Sequence, residues 1–424
     1  MATAPAIRLE SDFDYLVSFL PCGWEEQAKA LGALKRCRGV KDAKSLLRVL
    51  LIHLAEGCSL RETAVRARQG GLAELSDVAI MDRLRVAGDW FCWINRAVMG
   101  TWIARQPTSV FRDRWKIRVV DATRVKEPGP TGSSWCVYYS IDLPSLQCCE
   151  VQVHDKHGNG ETFRKYHVTP GDLFIGDRAY GTPPGIAHVL SAGGDVLTRF
   201  ARNHLPLWDE TGADPFDLLG HLRGLTGTRI GDWKVTVKHE GHSWTGRVCA
   251  LRRSRQATER ARRQIKRAAQ KHGTSTQAET LDTAGYVFVF TSIARDLMSP
   301  SKALEMYRGR WQVELVFKRL KSLLGFGHLR KKDHQAARSW LHGKLLVAFL
   351  VEALITRGEA LSPWGYPILS ARPDEAVPLA GGGADAPSPA VGGKPDARVA
   401  RVRRRLARNR KATPGGAPQT QAAG

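Results

Sequence analysis

From residue 1 to about residue 110 the apolar positions recur with the period of a helix, and from Arg114 onward they recur with the period of a strand. Ser45–Ala55 (SLLRVLLIHLA) predicts a buried helix stopped by Gly57. Ser59-Leu60-Arg61-Glu62 has the form of a capping box and opens a short helix to Arg68, which Gly70-Gly71 breaks. Ser76-Asp77 caps a further helix, Val78–Ile94. Helix, glycine turn and helix give the outline of a helix-turn-helix unit with Arg83 and Arg85 on its second element. An ordinary helical hairpin with solvated arginines gives the same pattern.

The stretches RWKIRVVDATRV, SWCVYYSID and LQCCEVQVHD are β-branched and aromatic runs separated by Gly, Pro and Ser, and predict three strands. GETFRKYH predicts a short helix, DLFIGDRAY a fourth strand, Pro183–Ser191 a helix and DVLTRFA a fifth strand. That order is the one expected of an α/β protein with a ribonuclease-H-like mixed sheet flanked by helices. Between about Arg202 and Thr291 the order is interrupted. GDWKVTVKHEGHSWTGRVCAL predicts a hairpin around Glu240-Gly241, a very basic helical stretch follows over Arg252–Lys271, and TAGYVFVFTSI returns to strand. The expected organisation is therefore a helical N-terminal domain (1–112), a first part of the sheet domain (113–201), a β-rich and basic insertion (202–291), closing helices of the sheet domain (292–357) and a basic tail (358–424). The tail is rich in Ala, Gly, Pro and Arg, a composition that cannot bury a core and predicts disorder. Its basic run serves equally as a non-specific hold on DNA or as a solvated tail without a role.

A formal net charge of +23 on 424 residues, with a pI near 10.0, points to a polyanionic partner. Basic residues recur along the whole chain, which favours nucleic acid over an anionic membrane surface. The eight cysteines form no CxxC pair and have no histidine at zinc-finger spacing, so reduced thiols in a cytosolic protein are expected. The N-terminus MATAPAIRLESDFD lacks the regions of a signal peptide, and the apolar stretches around Leu46–Leu54 and Leu345–Val351 are too short to span a bilayer. The expectation is a cytoplasmic, nucleoid-associated protein with no membrane contact.

Candidate chemistry concentrates in three places. Asp121 follows the apolar strand Ile117–Val120, and Asp177 follows Leu173–Ile175 and a glycine, so each is an acid at a strand end, suited to a site at the edge of a sheet. Residues 307–321 read YRGRWQVELVFKRLK. In one continuous helix Tyr307, Arg310, Glu314 and Lys321 fall within an arc of about 60°. If the two strands are neighbours and the helix packs on the same edge, three carboxylates meet. Hard oxygen donors suit Mg²⁺ or Mn²⁺ better than Zn²⁺. Each piece has a plainer account: an aspartate after a strand is commonly a turn former, Arg310 and Glu314 make a surface ion pair, and Trp311, Leu315 and Leu324 are core.

VVDAT, then GDRAY, then Y-(2)-R-(3)-E-(6)-K resembles the DDE-type transposases of bacterial insertion sequences, in the insertion-sequence-four group. All four signature positions match, at Tyr307, Arg310, Glu314 and Lys321. The family carries a β-rich insertion between the second Asp and the Glu, for which this chain has room. The resemblance covers about residues 1–357. It implies that Asp121, Asp177 and Glu314 bind two metal ions, Mg²⁺ or Mn²⁺. It implies that Tyr307, Arg310 and Lys321 grip phosphates near the transposon end, with Arg178 as a weaker DNA contact. Trp233 and Trp244 are possible stacking partners for a flipped base, and hairpin packing accounts for them as well.

The expected activity is cut-and-paste transposition, in which terminal inverted repeats are bound, a strand is hydrolysed at each end, and the freed 3′-hydroxyl attacks target DNA. The expected partners are double-stranded DNA and a second copy of the chain in a synaptic dimer. No Walker-type GxxxxGK[ST] occurs, so no ATP is implied. Two alternatives stand beside it: a metal-dependent nuclease without strand transfer, and a non-catalytic DNA-binding regulator derived from a transposase.

Overall fold

A computed structural model describes residues 12–104, 114–129, 134–155, 160–271, 273–327, 329–330 and 333–360. The tail beyond 360, including the basic run, lies outside the described residues. Six helices come first: α1 (Asp12–Val17), α2 (Trp24–Ala30), α3 (Ala43–Ala55), α4 (Leu60–Gln69), α5 (Asp77–Val86) and α6 (Gly88–Ala104). Asp42, Ser59 and Ser76 cap α3, α4 and α5 by accepting from the backbone N–H three residues on. The expected single helix over 78–94 is divided at Ala87–Gly88. Gly88 lies so close to Ser339 that a Cβ would sit 2.7 Å from its Oγ, and the packing of a distant helix sets this break. Arg83 donates to the carbonyls of Arg36 (2.6 Å) and Arg38 (3.3 Å), and Arg85 pairs with Asp82 and Asp333. Both arginines are thus engaged within the protein.

The sheet follows: β1 (Lys116–Lys126), β2 (Ser134–Asp142), β3 (Cys148–His154), a 3₁₀ turn at Phe163–Lys165, β4 (Asp172–Gly176), α7 (Pro183–Ser191) and β5 (Asp195–Thr198). Then come α8 (Leu218–Arg223), β6 (Ile230–His239), β7 (His242–Arg252), α9 (Arg255–Lys271), α10 (Ala278–Thr283), β8 (Tyr286–Thr291), α11 (Pro300–Arg308), α12 (Trp311–Leu323) and α13 (His334–Ala360). The eight strands form one sheet in the order β3-β2-β1-β4-β5-β8-β7-β6. β1 is antiparallel to β2 and parallel to β4, β4 is parallel to β5, and β8 is antiparallel to β5. The fold is α/β with a mixed sheet flanked by helices, consistent with the ribonuclease-H-like class. The hairpin of the insertion is not a detached unit: β8 joins it to β5 and extends the same sheet. Glu240 and Gly241 both have positive φ (48° and 77°), as a two-residue turn between β6 and β7 requires.

Strand alternation sorts side chains onto two faces. Ile117, Val119, Leu173 and Ile175 join a core built from the N-terminal helices and α11–α13, whereas Val120, Phe174 and Val196 face α7 on the other side. α13 runs through the larger core against α3, α5 and α6. Although no unbroken apolar run suffices, α13 is by overall length and composition apolar enough to cross a bilayer. About two thirds of that segment is buried within the fold, with Leu341, Leu345, Leu346 and Phe349 in the core. All eight cysteines carry free thiols: Cys58, Cys136, Cys148 and Cys249 are buried, Cys92 and Cys149 half-buried, and Cys22 and Cys37 exposed.

Candidate active site

The two aspartates are brought together by unequal strand lengths. β1 pairs with β2 along its whole length, from Arg118↔Asp142 to Lys126↔Ser134, but with β4 only as far as Val119↔Ile175. Asp121 and Asp177 each lie two residues beyond that last pair, side by side where β4 stops. Asp121 is therefore inside a strand rather than at its end, opposite Tyr139 of β2; what ends beside it is the neighbouring strand. By alternation Asp121 falls on the face of Val119, which packs in one core with residues of α11 and α12, and the charge of Asp177, in the turn after β4, reaches Tyr307 of α11.

The turn after β4 is tightly specified. A Cβ on Gly176 would sit 2.7 Å from Tyr180 and 2.8 Å from Phe163, so only glycine admits those buried rings. The Asp177 carboxylate accepts from the Ala179 N–H at 2.8 Å. The Thr198 hydroxyl, with one proton to donate, lies 2.9 Å from the carbonyls of both Asp177 and Arg199 and so ties the ends of β4 and β5. Tyr166 donates to the Asp121 carbonyl at 3.0 Å, and its ring is buried beside Tyr180.

Burial raises the Asp121 pKa to about 7; the Ala122 N–H, which donates to its Oδ1 at 2.8 Å, opposes this, the charges of Asp177 and Glu161 add to it, and Arg310 opposes it. Glu161 is itself raised by burial and then by Asp177, with Arg124 opposing. Residues 307–321 do not form one helix. Gly309 and Arg310 make tighter bonds to the carbonyls of Met306 and Tyr307 and separate α11 from α12. Leu143 packs against Gly309, where a Cβ would meet it at 2.9 Å. The four signature residues are consequently arranged around a break. Tyr307 is buried at the end of α11, and burial pushes its phenol up to about 12 against the pull of Arg310 and Arg199. Arg310 is half-buried at the joint and forms an ion pair with Glu314, whose side chain is 55 % exposed. Lys321 is exposed two turns further along α12, and Arg178 is exposed beside Asp177.

The structure thus places Asp121, Asp177, Tyr307 and Arg310 in one electrostatic neighbourhood, with Glu314 turned to Arg310. Among the described residues no three His, Cys, Asp or Glu side chains are gathered closely enough to hold a metal ion. The donor chemistry at the two aspartates nevertheless fits a divalent cation: adjacent hard-oxygen carboxylates repel each other, and one is held at a pKa near neutrality that a cation would lower. Two residues absent from the sequence-based set belong here. Glu161 contributes a third carboxylate field, and Arg199, following β5, acts on Tyr307 while its buried Nε has no hydrogen-bond partner. Neither had a sequence signal beyond its charge; only the pairing of β4 with β5 brings Arg199 to this end of the sheet. Trp233 packs near Phe216 and His221, and Trp244 lines a groove with Arg164, His188, His239 and His242.

Residues 145–350 match the family model described as the transposase DDE domain. The putative transposase InsL for insertion sequence element IS186A of Escherichia coli (strain K12) is 32 % identical over 337 residues, covering 78 % of this chain and 90 % of the relative. The transposase for insertion sequence element IS421 of Escherichia coli is 32 % identical over 338 residues, with the same coverage. The transposase for IS231F of Bacillus thuringiensis subsp. israelensis is 25 % identical over 282 residues, covering 59 % of this chain and 58 % of the relative.

Proposed function

The chain belongs to the DDE transposases of bacterial insertion sequences, in the insertion-sequence-four group, and from this we propose that it moves its element by cut-and-paste transposition with Asp121, Asp177 and Glu314 as the active-site carboxylates. Transposases act on DNA at the ends of insertion sequences, and the DDE domain works with divalent metal ions. The observation that carries the proposal is the alignment of Asp121 with Asp177, two residues beyond the last β1–β4 pair, where their charges act on each other and on Tyr307 and Arg310.

Asp121, Asp177 and Glu314 would hold two Mg²⁺ or Mn²⁺ ions. When bound, such ions activate a water or a 3′-hydroxyl and stabilise the leaving oxygen of an in-line phosphoryl displacement. The remaining work falls to side chains of this chain. Arg310 and Lys321 supply positive charge for phosphates next to the scissile bond, and the Tyr307 phenol, held protonated by burial, is a hydrogen-bond donor to a phosphate oxygen. Arg178 and Arg199 extend the cationic rim on the Asp177 side. Tyr166 and Thr198 hold the backbone of β1, β4 and β5 so that the carboxylates keep their spacing. The helices before residue 113 and the 202–291 insertion would grip the DNA flanking the cleavage point. Two copies would act together in a synaptic complex, each end of the element being cut by one site.

The test is a supercoiled donor plasmid carrying the element's own terminal inverted repeats, incubated with Mg²⁺ and either the wild-type protein or Asp121→Ala, Asp177→Ala and Glu314→Ala. Wild type should yield excised element and joined product, and each substitution should abolish both. Cleavage and joining that survive all three changes would sink the assignment. Cleaved ends without joined product would instead favour the nuclease, and binding without cleavage the regulator.

A further inference from the structure

β7 and β8 lie antiparallel with Arg252 opposite Tyr286, so a short turn could connect them. The chain instead inserts α9 and α10, and α9 carries charge that the fold does not use. Of its 17 residues, seven are cations and only Glu259 is acidic. At 100° per residue Ala257, Thr258, Ala261, Ile265 and Ala269 form one stripe, and these are its half-buried positions; every other residue of the helix is exposed. Arg255 pairs with Glu259, and Arg262 reaches Asp282 and the Leu281 carbonyl. Arg260, Arg263, Arg267 and Lys271 share an arc of about 80° and a row about 16 Å long, away from the packed stripe. Among the described residues none of these four has a carboxylate partner. Like charges one turn apart, Arg263 with Arg267 and Arg267 with Lys271, repel and weaken the helix, a cost that an anionic partner offsets.

The topology puts this row at the same end of the sheet as the candidate active site. β8 runs antiparallel to β5, with Phe290 opposite Thr198, so Tyr286 lies at the end of the sheet where β4 and β5 stop and Asp177 follows. α9 and α10 therefore leave and rejoin the sheet at the carboxylate end. Between them and Asp177 stand Arg253, which donates to the Tyr286 carbonyl at 3.1 Å, and Arg199. Burial lowers the Arg253 pKa, and the neighbouring Arg199 charge lowers it further, so the two guanidiniums feel each other.

We propose that the exposed row Arg260, Arg263, Arg267 and Lys271 on α9 is a docking surface for the sugar-phosphate backbone of duplex DNA, continued toward Asp177 by Arg253 and Arg199. The identity of the polyanion rests on the transposase reading, but the test is independent of cleavage. The full chain and its quadruple variant R260Q/R263Q/R267Q/K271Q are titrated onto a fluorescent random-sequence duplex of about 30 base pairs, long enough for the ~6–10 phosphate contacts of an ordinary duplex binder. The salt is varied from about 50 to 200 mM. Each phosphate contact contributes about 0.9 to the slope of log affinity against log salt, so four lost contacts reduce the slope by about 3.6. Over a fourfold change in salt this makes the affinity change about 150-fold smaller than in wild type. Lysine at all four positions should restore the wild-type slope, because counterion release counts charges. An unchanged slope in a quadruple variant with wild-type circular dichroism and Tm overturns the proposal. So does an unchanged slope with altered oligomer mass, which assigns the row to a protein contact. Failure here while Asp121→Ala still abolishes cleavage leaves the transposase reading intact; cleavage surviving in the carboxylate variants damages that reading without touching the α9 result.

Discussion

Replacing Asp121 by Asn should abolish cleavage while stabilising the metal-free fold, and the gain should grow with pH. Burial first, then Asp177 and Glu161, lift the folded-state pKa of Asp121 from its ordinary 3.8 to about 7. Below the unfolded value both states are protonated and no penalty exists. Between 3.8 and about 7 the folded protein retains a proton that the unfolded chain has released, so stability is lost as pH rises through that window. At about 1.36 kcal/mol per unit, the full penalty reaches about 4 kcal/mol above pH 7, and water entering the open site screens it to about 2 kcal/mol. Asparagine carries no charge to desolvate. Its advantage over aspartate at pH 8 should exceed that at pH 5 by about 1–3 kcal/mol, or about 2–6 °C in Tm at the ~2 °C per kcal/mol expected of a large chain. Thermal melts in EDTA at the two pH values measure this directly. Adding Mg²⁺ at pH 8 should raise the Tm of wild type and leave Asp121→Asn nearly unmoved. A Tm gap that is equal at pH 5 and pH 8, or larger at pH 5, refutes the electrostatic account of the site.

Two further outcomes follow from neighbouring contacts. Arg118, buried on β1 against Phe174, pairs with Glu150 and Asp172 and donates to the His167 carbonyl at 2.6 Å. Arg118→Ala removes the cation from the half-buried Glu150 and the buried Asp172 and should cost about 3–5 kcal/mol in urea unfolding; a loss under about 1 kcal/mol would show that the clamp is not holding β1 to β4. Glu161→Gln should retain donor cleavage and Glu314→Gln should lose it; the opposite pattern in the plasmid assay would give the third carboxylate position to Glu161.

The order of the first five strands was legible because each run has its own apolar alternation and a Gly, Pro or Ser boundary, and strand adjacency then carries Asp121 and Asp177 to one place. What the sequence conceals depends on contacts between distant segments. YRGRW is compatible with an unbroken helix; the tightened turn at Gly309 and Arg310 divides it, and Leu143 lying against Gly309 leaves no room there for a side chain. Ala87–Gly88 is a helix boundary because α13 passes there with Ser339. The run RWKIRVVDATRV predicts a strand through Asp121, and β1 does reach Lys126; what the sequence does not show is that β4 stops short beside Asp121. Glu161 and Arg199 lie outside any motif, and only the packing of the 3₁₀ segment and the β4–β5 pairing give them a place at the site.

Energetics also decide how to regard Glu314, which faces Arg310 rather than the aspartates. Its side chain is more than half exposed, and an exposed pair at i and i+4 contributes only about 0.3–0.5 kcal/mol. That contact is therefore a weak restraint on where the carboxylate goes. The large imbalance lies at Asp121, whose ionised form is penalised by several times as much in the metal-free protein. A divalent cation bound at the two aspartates would offset that penalty, and the Arg310 pair that Glu314 would give up to join them is worth only the surface contribution. Releasing Glu314 would also free the Arg310 guanidinium, whose charge acts on Asp121, for a phosphate. The ion pair between the two signature residues is thus compatible with both proposed roles, and its small magnitude is the reason.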